Sequence, residues 1–144
     1  MYCLNRLLFV VLLGLTCLAP LGCGGRTPTK VMRGSVTCGG EKVPMGQVVF
    51  VPGDTSQPPS AAAIVDGQYL MDAGGGVRLG KYRVRVDARK KTGRQVKANN
   101  GFEITMTDEV IPVGPAIYAG DRSPLSVEVA AASNGTFDIA IPRQ

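Results

Sequence analysis

From Lys30 onward the apolar residues recur at every second position in short runs, and no stretch sustains the 3.6-residue rhythm of a helix. A period of two puts successive side chains on opposite faces of a strand, so each run can bury only one face. Gly and Pro, 19 and 10 in number, cut the runs at intervals too short for long helices. Such a chain hides its apolar faces by stacking sheets. The prediction is an all-β fold, a single antiparallel β-sandwich of about seven strands after an N-terminal signal segment. With 144 residues one hydrophobic core suffices, since a domain of that order buries roughly two-thirds of its unfolded surface.

The strand candidates can be read in order. In Met32-Arg33-Gly34-Ser35-Val36 the odd places face inward, and Val48, Phe50 and Pro52 do so in the next run. Between them Cys38-Gly39-Gly40-Glu41 reads as a tight turn. Ser60 to Val65 and Gln68 to Met71 flank Asp66-Gly67, a dipeptide favoured in two-residue hairpins. Tyr82, Val84 and Val86 alternate with Arg83, Arg85 and Asp87, which gives one core face and one wet face. Phe102 to Thr107 alternates as well, and Leu125 to Val129 is expected to pair across Asn134-Gly135 with Thr136 to Ile141. The expected core is Val36, Val48, Phe50, Tyr82, Val84, Val86, Leu125, Val127, Val129, Phe137 and Ile139.

The amino terminus has a different character. Arg6 is followed by an almost wholly apolar run from Leu7 to Leu18, about a dozen residues, short of the roughly 20 that a spanning helix needs and suited to an export signal. Ala19-Pro20-Leu21-Gly22-Cys23-Gly24-Gly25 resembles a lipobox, with Leu21 one step nearer the cysteine than the usual pattern has it. That resemblance implies cleavage before Cys23 and acylation of it, which would anchor the protein at about 0.8 kcal/mol per buried CH₂. Secretion without lipid and retention as a membrane helix are the alternatives. The expected division is a signal peptide over 1–22, a lipidated Cys23 and polar tether over 23–29, and the sandwich domain over 30–144. Loss of 1–22 removes one of 16 basic residues and none of 11 acidic ones, lowering the net charge from +5 to +4.

Several segments together are similar to a known family. They are Met32 to Val36, Gly40-Glu41-Lys42-Val43-Pro44-Met45-Gly46 leading into Val48 to Pro52, Asp66-Gly67-Gln68-Tyr69, Leu79 to Val86, Ile111-Pro112, Ser123 to Val129 and Phe137-Asp138-Ile139. Their order and spacing resemble the carboxypeptidase regulatory-like, transthyretin-like β-sandwich domains that occur as small lipoproteins in planctomycete bacteria. The resemblance covers nearly all of the chain after the signal. It implies a prealbumin-like (Ig-like) sandwich, export to the cell envelope at the outer membrane or periplasmic face, and no assigned enzymatic activity. The chain departs from that pattern at Cys38 and in the extra alternating run near Phe102.

The chain contains no His and no Trp, which removes Ser-His-Asp triads, Cys-His dyads and His-based metal or haem sites. The hydroxyisourate hydrolases, transthyretin-like enzymes built around histidines, are excluded with them. No catalytic residue, cofactor or metal site is therefore expected. Asp66, Asp72, Asp108, Glu109 and Asp121 lack the spacing of a calcium loop and suit turns instead. Asn134-Gly135-Thr136 matches a glycosylation sequon but reads better as a turn, and Tyr69 and Tyr82 read as core residues rather than as a carbohydrate platform. With Cys3 and Cys17 in the signal and Cys23 acylated, Cys38 has no partner for a disulfide and is expected to be a small packed side chain.

One candidate contact surface remains. Arg78, Lys81, Arg83, Arg85, Arg89, Lys90, Lys91, Arg94 and Lys97 face only Asp87 between residues 78 and 97. Arg83 and Arg85 share the wet face of a strand and Arg89 to Lys97 is expected to be a flexible loop, so the charges could gather into one patch. A solvated edge kept unpaired by like charge is the plain reading. The sharper one is contact of Arg83, Arg85, Arg89, Lys90, Lys91, Arg94 and Lys97 with anionic envelope polymer or lipid headgroups; nucleic acid is not expected, since no recognition motif accompanies the charge. Two functions follow: a non-enzymatic interaction or display module on a membrane, or a small binding protein for a peptide, glycan or apolar ligand, which should contain a sizeable apolar pocket.

Overall fold

The computed structural model describes residues 27–99 and 101–143, so the expected signal segment and Cys23 lie outside the described residues. The strands in chain order are β1 (Thr29–Lys30), β2 (Met32–Cys38), β3 (Glu41–Lys42), β4 (Met45–Pro52), β5 (Ser60–Val65), β6 (Gln68–Met71), β7 (Val77–Arg78), β8 (Gly80–Asn99), β9 (Ile104–Pro112), β10 (Ser126–Val129) and β11 (Ile139–Ile141). Apart from two single-turn 3₁₀ segments the described chain is strand, turn and loop. The fold is all-β, as the alternation requires.

Two layers form because the ladder opens at the Asp66-Gly67 hairpin. β5 and β6 share one residue pair, Val65 with Gln68, and then diverge. Asp66 (φ 50°) and Gly67 (φ 77°) adopt the left-handed pair that such a turn demands. One layer runs β10-β8-β4-β5 and the other β6-β2-β11, with β3 beside β2 and β9 beside β8. Phe50 of the first layer meets Tyr69 and Phe137 of the second, ring centroids 6.3 Å away in each case, and lies 6.0 Å from Tyr82 in its own layer. The core is filled from both sides.

Of the expected core, Val36, Val48, Phe50, Tyr82, Val84, Val86, Val129 and Ile139 are buried, while Leu125, Val127 and Phe137 are half-buried against them. Met32, Cys38, Val43, Ala62, Ile64, Tyr69, Met71, Val77, Ala88 and Ile141 join it. Tyr69 and Tyr82 are core residues with a polar tip, their hydroxyls donating to the main-chain oxygens of Phe137 (2.7 Å) and Arg78 (2.9 Å). Burial pushes both phenols above their ordinary range; the charge of Asp138 adds to the effect at Tyr69 and that of Arg78 opposes it at Tyr82. Among the described residues no buried side-chain nitrogen or oxygen lacks a partner. Among the described residues the strands and the core cluster fall between Thr29 and Ile141, which gives this stretch the hydrophobic core that an independently folding unit requires.

The two faces of β8 make a direct test of this packing. Val84→Ala should lower stability by about 1–3 kcal/mol through transfer and cavity terms, because Val84 is fully buried. Arg83→Ala should change little, since the guanidinium is exposed and its bond to the Asp121 carbonyl (2.6 Å) lies at the surface. Thermal melts that ranked the two the other way would refute the assigned face.

Two expectations are corrected. β10 and β11 are not a hairpin: β10 pairs antiparallel with β8, and β11 pairs parallel with β2, Ile139 opposite Val36. The segment between them crosses from one layer to the other, held by the Arg33 N–H to the Gly135 carbonyl and by the Phe137 N–H to the Arg33 carbonyl, 2.9 Å each. Asn134-Gly135 is a turn, with the Asn134 side chain accepting from the Thr136 N–H at 2.9 Å, but it joins layers rather than neighbours. The second correction concerns residues 89–97, which form no flexible loop. They are the outer half of β8, a 20-residue strand. β9 pairs with it from Arg89 opposite Pro112 to Asn99 opposite Ile104, interrupted by a bulge between Lys91 and Gln95.

Candidate interaction arm and groove

Pairing of β4 with β8 ends at Arg89. Beyond that residue β8 has β9 as its only sheet neighbour among the described residues, and the two form a ribbon roughly 30 Å long at 3.3 Å per residue. Pro28 accepts a hydrogen bond from the Leu79 N–H, and Thr29 pairs with Arg78. The start of the described chain therefore lies at the first end of β8 and the arm at the other, roughly 50 Å apart along the strand.

The arm carries exposed apolar side chains. Phe102 is 99% exposed at the turn, and Ile104, Met106 and Val96 are also exposed. Cross-strand register puts Lys97 beside Met106 and Asn99 beside Ile104 on one face, with Val96 and Thr107 on the other. An isolated two-stranded ribbon is marginally stable. Here ion pairs and the bulge bind it together: Lys91 to Asp108 at 2.7 Å, Arg94 to Glu109 at 2.9 Å, and the Thr92 hydroxyl donating to Glu109 at 2.6 Å.

These contacts disperse the basic surface expected from sequence. Arg83 and Arg85 are spent on the loop after the second 3₁₀ turn, donating to the carbonyls of Asp121 (2.6 Å) and Ala119 (3.1 Å), and Arg85 also pairs with the Asp121 carboxylate at 3.1 Å. Arg89 forks onto Asp87, with its closest contact at 2.7 Å, and that hydrogen bonding, followed by the carboxylate's charge, raises the guanidinium pKa. Lys91 and Arg94 pair along the arm as described. Lys90 and Lys97 have no ion pair among the described residues, and they stand on opposite faces, opposite Ile111 and Met106 respectively. One strand carries the seven cations, and four of them, Arg85, Arg89, Lys91 and Arg94, are paired with carboxylates.

A groove of about 470 Å³ lies where the arm joins the sandwich, beside the turn that ends β2. Sequence reasoning missed it because its lining comes from four separate segments. Val43, Ile111 and Val113 give it apolar walls, and Lys42, Lys90 and Arg143 stand at its sides. Cys38 lies beneath, buried, its thiol 3.5 Å from the Pro142 carbonyl. The carboxylates considered for calcium are dispersed: Asp66 in its hairpin turn, Asp108, Glu109 and Asp121 on cations. Among the described residues no cluster of three potential ligands would hold a metal ion.

No family model, curated protein or solved structure matches this chain.

Proposed function

We propose that this protein is an exported, lipid-anchored, non-enzymatic interaction module of the cell envelope, related to the carboxypeptidase regulatory-like, transthyretin-like lipoproteins. The observation that carries this reading is the arm: a stabilised ribbon with exposed apolar side chains, set at the opposite end of the sandwich from Thr29. A chain tethered through Cys23 would hold the arm away from its own membrane. The absence of His from the whole sequence supports the non-enzymatic part. Any contact with anionic polymer or lipid headgroups narrows to Arg83, Lys90 and Lys97, the members of the basic set without a carboxylate partner among the described residues.

The anchor is tested by metabolic labelling with a fatty-acid probe. Cys23→Ser should abolish labelling of the chain whether or not the signal is still cut. Undiminished labelling of that variant would overturn the lipoprotein reading.

A further inference from the structure

We propose that the groove at the base of the arm binds an aliphatic carboxylate, its chain on Ile111 and Val113 and its charged end held by Lys42 and Lys90. The volume of about 470 Å³ falls within the range of small-ligand sites, which are characteristically apolar surfaces with a few polar groups that fix orientation. The walls meet the first condition. Ile111 is 37% exposed and Val113 half-buried, so both have apolar surface still to be covered, whereas Val43, at 1% exposure, already belongs to the core.

The charge around the groove selects the ligand. Glu41 is the lining carboxylate, and Arg143 neutralises it at 2.8 Å. Lys42 and Lys90 are left without an ion pair among the described residues. Two uncompensated ammonium groups beside an apolar wall repel cations and attract an anion. A compact inorganic anion would leave Ile111 and Val113 wet, and a neutral alkyl chain would leave both ammonium groups unused. An aliphatic chain ending in a carboxylate uses both features, with charge-assisted hydrogen bonds at one end and removal of apolar surface from water along the rest.

The inference goes beyond the envelope function and does not depend on the lipid anchor, since every residue involved lies in the sandwich or the arm. The test therefore uses the chain from residue 23 with Cys23→Ser. Octanoate is titrated while the methyl signals of Val43, Ile111 and Val113 are followed by NMR. Saturable shifts confined to that neighbourhood are expected, with octanol at least tenfold weaker and acetate without effect. The double variant K42Q/K90Q should bind octanoate at least tenfold more weakly while melting with the parent. If it melts early, K42Q and K90Q are measured singly, each expected to lose about threefold. Octanol binding as tightly as octanoate, shifts that never saturate, or unchanged affinity in the lysine variants would overturn the proposal.

Discussion

Replacing Phe50 with Ala is expected to lower the unfolding free energy by about 3–5 kcal/mol, the usual cost of deleting a large core aromatic. Phe50 is fully buried on β4 and lies against Tyr82 in its own layer and against Tyr69 and Phe137 in the other. Its removal opens a cavity that no single strand can close, because Tyr82 lies on β8, Tyr69 on β6, and Phe137 on the segment before β11 that bonds to Arg33. Loss of the edge-to-face contacts adds to the transfer term, at about 0.5–1.5 kcal/mol for such a pair. Against a typical total of about 5–15 kcal/mol, this is enough to leave the variant marginal. Denaturant unfolding of parent and variant measures it. Phe137→Ala serves as the comparison and should cost less, because Phe137 is only half-buried. A loss below about 1.5 kcal/mol for Phe50→Ala, or a larger one for Phe137→Ala, would mean that the layers are not joined through this ring.

Phe50 also shows how far the sequence could be read. Its place on the inner face followed from a period of two, as did those of Val48, Val84 and Val86, because alternation is a local property that the pleat converts directly into facing. The β5–β6 hairpin was legible to the residue, since Asp66-Gly67 imposes its own backbone conformation. Partner choice is not local. Alternation in Leu125 to Val129 and Thr136 to Ile141 specified which side chains turn inward but not which ladder each strand joins, and both joined strands far away in sequence. The arm was illegible for a related reason. In residues 89–97 charged and polar side chains occupy both parities, since neither face packs on a core, so the strand lost the pattern by which strands are recognised and resembled a loop. The pairing of three of the basic residues was hidden for the same reason: the carboxylates that meet Lys91, Arg94 and Arg85, namely Asp108, Glu109 and Asp121, come from 15 or more residues away and are brought alongside only by the β9 pairing and the following loop.

The glycine in the first long strand should be nearly as sensitive as Phe50. Gly34 lies on β2 opposite Tyr69, and a Cβ there would collide with the Phe137 carbonyl oxygen and come 3.1 Å from the Tyr69 ring. That carbonyl cannot step aside freely. It accepts the Tyr69 hydroxyl at 2.7 Å, while the Phe137 N–H donates to the Arg33 carbonyl at 2.9 Å. Gly34→Ala must therefore displace a segment pinned at both ends. Overpacking costs about 1–3 kcal/mol, and stripping a buried hydroxyl of its acceptor about 1–3 kcal/mol more, so a total loss of about 3 kcal/mol is expected. Gly40→Ala is the control: it occupies a positive φ of 85° but opens on empty space, so it should cost only the backbone term of about 1–2 kcal/mol. A second readout separates displacement from general loosening. Burial and the Asp138 charge hold the Tyr69 pKa above the usual tyrosine range in the folded state. A raised folded pKa contributes stability that is complete below the unfolded value and is lost as pH climbs past it toward the folded one, so the parent should weaken on the alkaline side. Moving Phe137 lets water reach the Tyr69 hydroxyl, so in Gly34→Ala that tyrosine should ionise at lower pH by ultraviolet difference spectroscopy, and the alkaline loss should be smaller. In Gly40→Ala both should match the parent. Equal melting of the two glycine variants, with an unshifted Tyr69 titration, would show that the Phe137 segment yields without cost and that Gly34 is not held to glycine by that contact.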